Sequence, residues 1–251
     1  MKYLLLKHND YLSDSMITYI QKTKLVYYKE YQHFTLFGYS LKKNSNYILC
    51  GKRIQKLYQD LFTDFNIQVK HLKIVIIDSP QHRQFIDHEY FINGGFTYLN
   101  NNIIYIYRND EMLKVALHEV IHHAFYFKDF DIFFGDPIRS KIIINFNEAI
   151  VEFLATLYQI KYTKTNIKDE LKHSLKNVKY VLGMPNTTFK TQIYSYIVIK
   201  HLLLKKYKLI FKYIQNKQYD KIYQYVYNTK INIKPIKPNK QKLIFVSVSY
   251  L

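Results

Sequence analysis

Apolar residues in the first part of the chain follow two kinds of pattern. In residues 54–65 they lie three and four positions apart, which predicts an amphipathic helix. Residues 73–78 instead form a short, β-branched apolar run, which predicts a buried strand. The rest of residues 1–70 has a mixed pattern that predicts no particular element.

A β-hairpin is predicted in the next segment. Two β-prone runs, at residues 94–99 and 103–108, are separated by three consecutive asparagines. Asparagine tolerates the left-handed backbone conformation that tight turns require. Two such runs joined by a short turn are typical of antiparallel strands.

Helical spacing dominates the remainder of the chain. Asn109 or Asp110 is a suitable N-cap for a helix beginning near Glu111, and Gly183 is a suitable end for a later helix. The predicted helices cover residues 111–126, 165–182, 188–214 and 219–227. Residues 142–160 begin as an apolar run and continue as a further helix, and a strand-like run follows at 243–248. Strands followed by helices predict an α+β fold.

The 251 residues suffice for one large domain or for a domain with a smaller lobe. We divide the chain into an N-terminal mixed region (1–70), a central core with a small mixed sheet packed on a helix (71–160), and a mainly helical region (161–251).

The chain is strongly basic, with a formal net charge of +18, yet only four of its 37 basic residues are arginines. One interpretation is a surface that binds nucleic acid or an anionic membrane. The other is a bias toward AT-rich codons, which encode Lys, Asn, Ile and Tyr, spread over solvated faces. The scarcity of arginine favours the second, because phosphate recognition tends to use the bidentate guanidinium group.

Cysteine and hydropathy patterns indicate the compartment. Cys50 is the single cysteine, which excludes an intramolecular disulfide and favours a reducing environment. No apolar stretch approaches the length of a membrane span or of a signal-peptide core. We therefore expect a soluble protein that is cytoplasmic or otherwise intracellular.

The motif that bears chemistry is His-Glu-Val-Ile-His at residues 118–122, inside the helix predicted to follow the hairpin. Positions i and i+4 share one helix face, so His118 and His122 can present imidazole nitrogens to one metal ion. Glu119 lies beside them, where its carboxylate reaches a water on that metal. His123 is turned by about 100° from its neighbour and is interpreted as structural.

A second motif, Asn-Glu-Ala-Ile-Val-Glu, follows at residues 147–152. Glu148 and Glu152 are four positions apart and share one helix face. Catalytic zinc takes three protein ligands and leaves one position for water. One carboxylate can complete that set while the other hydrogen-bonds a ligating histidine. The alternative is a helix whose histidines only cap or pack.

Together the two motifs resemble the gluzincins, the thermolysin-like zinc peptidases. The resemblance implies a zincin-like fold, Zn²⁺ as cofactor and a peptide or protein substrate. By position it implies that the metal ligands are His118, His122 and Glu148. It also implies that Glu119 is the general base and that Glu152 orients the first histidine, although the thermolysin-like enzymes have Asp at the last position.

The resemblance covers residues 94–160, and it implies a strand that lines the cleft antiparallel to the substrate. Residues 94–99 are the natural candidate, with Gly95, Phe96 and Thr97 binding the substrate. Gly95 would let a peptide backbone approach closely. The alternative is that the glycines form a bulge or a turn.

In aminopeptidase-like gluzincins a tyrosine near the start of a later helix stabilises the oxyanion. Tyr194 is the first candidate here and Tyr196 the second, although both also fit ordinary helix positions. His173 and His201 are alternative donors that equally fit core or surface positions.

The competing function is a basic nucleic-acid-binding protein with a structural or vestigial metal site, or with none. Its basis is the positive charge together with the many aromatic residues, which suit stacking on single strands. Glu119 disfavours this function, because a purely structural site has no use for a base beside its metal. A protease that acts on nucleic-acid-bound proteins combines the two hypotheses.

Overall fold

The computed structural model describes residues 12–42, 46–80, 94–98, 101–109, 111–125, 133–135, 143–183, 195–230 and 232–235. Its architecture is α+β. The chain forms two compact units, the first built mainly from residues up to Ala124 and the second from Phe125 onward. The division into three regions stays a prediction. No helix within the described ranges is both long enough and apolar enough to span a lipid bilayer.

The first unit contains a mixed five-stranded sheet. Its elements are, in chain order, α1 (Asp14–Lys22), β1 (Lys24–Glu30), β2 (Phe34–Ser40), α2 (Asn46–Phe65), β3 (Leu72–Ile77), β4 (Gly95–Tyr98), β5 (Ile103–Ile106) and α3 (Met112–Ala124). The strand order across the sheet is β1-β2-β3-β5-β4. β3 pairs parallel with β2 and β5, whereas β1 and β4 pair antiparallel with their neighbours. Among the described strands, β4 is therefore terminal.

The predicted strand and hairpin are both confirmed. β3 is the central strand and is buried on both faces, which explains its continuous apolar run. β4 and β5 form the hairpin, with Tyr98 paired to Ile103. Asn102 in the turn has a φ of 50°, the left-handed conformation for which asparagine is suited.

The core of the first unit lies on the two faces of this sheet. On one face α1 packs Met16 and Ile20 against Val75 and Tyr105. Successive strand residues point to opposite faces, so the alternate residues of β3 and β5 face the other side. There α3 contacts β4 and β5. The helix that carries the His-Glu-Val-Ile-His motif thus packs against the hairpin whose first strand, β4, is the predicted substrate strand.

The second unit is mainly helical. Its elements are β6 (Phe133–Gly135), β7 (Ile143–Asn145), α4 (Phe146–Thr163), α5 (Ile167–Leu182), a π-helical turn (Ser195–Ile199), α6 (Lys200–Lys205), α7 (Tyr207–Gln215) and α8 (Tyr219–Asn228). β6 and β7 form a two-stranded antiparallel sheet. The side chain of Asn166 caps α5 by accepting a hydrogen bond from the Lys168 amide at 2.9 Å. The helix ends before Gly183, as predicted.

The prediction of one helix over residues 188–214 is wrong. The described part of this segment contains the π-helical turn, α6 and α7, with a break at Lys206, whose φ of −122° and ψ of 33° are not helical. Hydrophobic spacing reports which side chains are buried, and it does not report whether backbone hydrogen bonds continue. A break without Gly or Pro therefore leaves little trace in the pattern.

Other differences concern the ends of the chain. α1, β1 and β2 were not predicted, and α2 begins at Asn46, before the predicted start. β1 gave no signal because most of its side chains are exposed, which removes the alternation on which strand prediction depends. The strand-like run at 243–248 lies outside the described residues.

Candidate metal centre

The two motif histidines face each other across one turn of α3. Their Nε2 atoms lie 3.0 Å apart, and their ring centroids lie 4.7 Å apart. His118 is only 6% exposed, whereas His122 is half-buried. Two nitrogens bound to one tetrahedral zinc ion, each at about 2.0–2.1 Å, are about 3.3 Å apart. Movements of a few tenths of an ångström would let the rings share an ion.

Glu148 completes a group of three. It lies in the first turn of α4, at the positive end of the helix dipole. One of its carboxylate oxygens and the ring nitrogens of His118 and His122 all lie within 4.8 Å of one another. These residues are therefore able to hold a metal ion. Two imidazole nitrogens and a carboxylate oxygen are a donor set that suits Zn²⁺ among other transition-metal ions.

Glu119 belongs to the same surface of α3. It precedes His122 by three positions, and side chains at this spacing are neighbours on a helix. The residue is only 7% exposed. From Met112 to Ile121 every residue of α3 is buried, so this carboxylate is held in surroundings with little bulk water. The role of Glu119 as a general base stays a prediction.

His123 has the structural role expected from its angular position. Its Nε2 is hydrogen-bonded to the hydroxyl oxygen of Thr97 on β4. Burial, and secondarily the neighbouring His122, lowers the pKa of His123 to about 4, so its ring is neutral at neutral pH. The bond ties the metal-site helix to the strand predicted to bind substrate.

Gly95 has a packing role that the sequence did not reveal. A Cβ at this position would lie 2.5 Å from the Tyr105 carbonyl oxygen and 2.8 Å from Val115 Cγ1. β4 therefore approaches α3 too closely for any side chain. Phe96, on the opposite face, packs against Tyr105 at a ring distance of 5.3 Å and extends the core there. Substrate contact by Gly95, Phe96 and Thr97 stays a prediction.

Glu152 is 0% exposed, and its Oε1 forms an ion pair with Lys200 Nζ at 3.8 Å. The same ammonium group lies 3.7 Å from Glu170 Oε1. Lys200 and Glu170 were not predicted, and the available signal was the pair Lys200 and His201 within a helical run that is otherwise apolar from residue 197 to residue 204. Orientation of a ligating histidine by Glu152 stays a prediction.

The other predicted donors are placed as follows. Tyr194 lies outside the described residues, and the side chain of Tyr196 does too, although its backbone belongs to the π-helical turn. His173 Nε2 lies 3.3 Å from Asn177 Nδ2 on α5. His201 is 5% exposed and its Nδ1 lies 3.2 Å from Ser174 Oγ, so it belongs to the core of the second unit.

Two sequence interpretations concern residues away from this centre. Cys50 is fully buried, and burial raises the pKa of its thiol to about 12, which fits an unreactive cysteine. Lysines are exposed on both units, for example Lys52 on α2 and Lys212 on α7. A nucleic-acid partner stays a prediction.

Comparison with known protein families gives no matching family model, and comparison with curated proteins gives no match either. The resemblance to gluzincins therefore rests on the two motifs alone. The geometry of His118, His122 and Glu148 is the observation that bears on it most directly.

Proposed function

We propose that the chain is a zinc-dependent peptidase of the gluzincin type with a zincin-like core. The observation that carries the proposal is the convergence of His118, His122 and Glu148, whose ligand atoms lie within 4.8 Å of one another. The first two residues share one face of α3, and the third lies in the first turn of α4. This donor set is the one that catalytic zinc uses in several peptidases.

Zinc bound by these residues would supply Lewis acidity, which lowers the pKa of a coordinated water and polarises the carbonyl group of the substrate. Glu119 then acts as the general base that accepts the proton of the attacking water. The same carboxylic acid donates that proton to the amine of the leaving peptide. Its burial strengthens both transfers, because few water molecules compete for the carboxylate.

β4 supplies a surface for an extended peptide. The Tyr107 amide donates a hydrogen bond to the Gly94 carbonyl at 3.0 Å, which sets the register of the antiparallel ladder. In this register the main-chain groups of Gly95 and Thr97 point away from β5. A substrate that adds as a strand would pair with those groups, which gives affinity without dependence on side-chain identity.

Glu119→Gln tests the proposed mechanism. We expect the variant to retain zinc and to lose turnover by about 10²–10⁴-fold, because the amide cannot accept the proton. Zinc is measured by elemental analysis of purified protein, and turnover by cleavage of a mixed pool of fluorogenic peptides. Glu30→Gln, the same change at an exposed position on β1, is the control and should match the wild type.

Two outcomes would contradict the proposal. Cleavage by Glu119→Gln at the wild-type rate would exclude this residue as the base. Wild-type zinc content in both His118→Ala and His122→Ala would exclude the metal centre itself.

A further inference from the structure

A buried lysine forms ion pairs that connect three helices of the second unit. Lys200 begins α6 and is 2% exposed. Its Nζ lies 3.8 Å from Glu152 on α4 and 3.7 Å from Glu170 on α5, and these carboxylates are 0% and 1% exposed. Removing an ammonium group from water is costly, and ion pairs with carboxylates offset that cost.

A second contact fixes Lys200 along α5. The next residue, His201, lies with its Nδ1 3.2 Å from the hydroxyl oxygen of Ser174. Ser174 follows Glu170 by four positions, so both belong to one face of α5. Two consecutive residues of α6 are thereby bound to two consecutive turns of α5. The ammonium group of Lys200 consequently has a defined place opposite α4.

The position of Glu152 connects this cluster to the metal centre. Glu152 follows Glu148 by four positions on α4, so the two carboxylates lie one above the other on the same helix face. We propose that Lys200 is a positioning residue, an inference that rests on the proposed metal centre. Its ion pair fixes Glu152 and thereby the face of α4 that carries both Glu148 and Glu152. In this orientation of α4, Glu148 binds the metal ion.

Glu170 allows a matched test of this role. In Glu170→Gln the pair between Lys200 and Glu152 is retained. In the double variant Lys200→Met with Glu170→Gln that pair is lost, while the cluster keeps the net charge of the wild type, since one ammonium and one carboxylate have been removed together. Lys205→Met, a change at an exposed lysine of the same helix, is the control.

The affinity of the full-length protein for Co²⁺ is measured by visible absorption. Far-UV circular dichroism and urea unfolding of the metal-free protein measure its secondary structure and its stability. We expect Glu170→Gln and Lys205→Met to bind Co²⁺ within about threefold of the wild type. The double variant should be folded and should bind about 10–100-fold more weakly, the usual effect of losing a group that orients ligands. A rescue variant that combines Lys200→Arg with Glu170→Gln keeps a cation beside Glu152 and should recover most of the affinity.

The outcomes separate this inference from the proposed function. Equal Co²⁺ affinity of Glu170→Gln and the double variant would overturn the role of Lys200 while leaving the metal centre intact. A decrease in unfolding free energy without a decrease in Co²⁺ affinity would likewise show that the lysine is only structural. If the wild type and His122→Ala bind Co²⁺ equally, the metal centre is wrong and this inference falls with it.

Discussion

Replacement of Gly95 by alanine tests why a glycine lies beside the metal-site helix. The added Cβ would lie 2.5 Å from the Tyr105 carbonyl oxygen and 2.8 Å from Val115 Cγ1. Favourable contacts between carbon atoms lie at about 3.5–4.0 Å, so the second contact is too short by about 0.7 Å or more. The first neighbour is backbone within the β4–β5 ladder, and the second is a β-branched side chain with restricted rotation. β4 would have to move.

We expect Gly95→Ala to lower the free energy of unfolding by about 2–3 kcal/mol, the upper part of the range for overpacking. The entropic advantage of alanine over glycine acts in the opposite direction and is smaller, about 0.5–1 kcal/mol. With a urea m-value of about 2 kcal/mol/M, the unfolding midpoint should fall by roughly 1 M.

Urea unfolding followed by circular dichroism measures this shift in the metal-free protein. Lys73→Ala, at an exposed position on β3, is the control and should change stability by less than about 0.5 kcal/mol. Wild-type stability of Gly95→Ala would refute the packing argument. It would then favour the original interpretation, in which the glycine is needed only where the substrate backbone approaches.

Two further predictions concern positions away from the metal ligands. Asn102 has a φ of 50° in the hairpin turn. Urea unfolding should therefore show that Asn102→Gly is at least as stable as the wild type and that Asn102→Val is less stable by about 1–2 kcal/mol. A valine variant as stable as the wild type would contradict this. Burial, and then Lys205 and Lys200, lowers the pKa of His201 to about 4, whereas in the unfolded chain the pKa is about 6.5. The stability due to the neutral ring is therefore complete well above pH 6.5 and is lost as the pH falls toward 4, by about 2–3 kcal/mol at pH 4.5. His201→Gln should reduce this dependence, and an unchanged slope between pH 7 and pH 4.5 would show that His201 does not titrate as stated.

Local patterns were sufficient to predict several elements of the fold. The β4–β5 hairpin, the central strand β3 and the C-terminal end of α5 depend on residues close together in the sequence. Turn asparagines, a continuous apolar run and the terminating Gly183 act within a few positions, whereas the N-cap Asn166 was not predicted. β1 and the break at Lys206 could not be predicted, because an exposed strand lacks alternation and the break has no Gly or Pro.

The sequence by itself determined which side chains share a helix face. The spacing of His118, Glu119 and His122, and that of Glu148 and Glu152, follows from the helical repeat wherever those helices lie. The motif resemblance implied that Glu148 joins the two histidines, and the tertiary structure gives the distances among them. Only the tertiary structure decided that Glu152 pairs with Lys200 and that Gly95 packs closely against α3. These relations join residues far apart along the chain, and helical periodicity carries no information about which distant helix or strand will pack beside another.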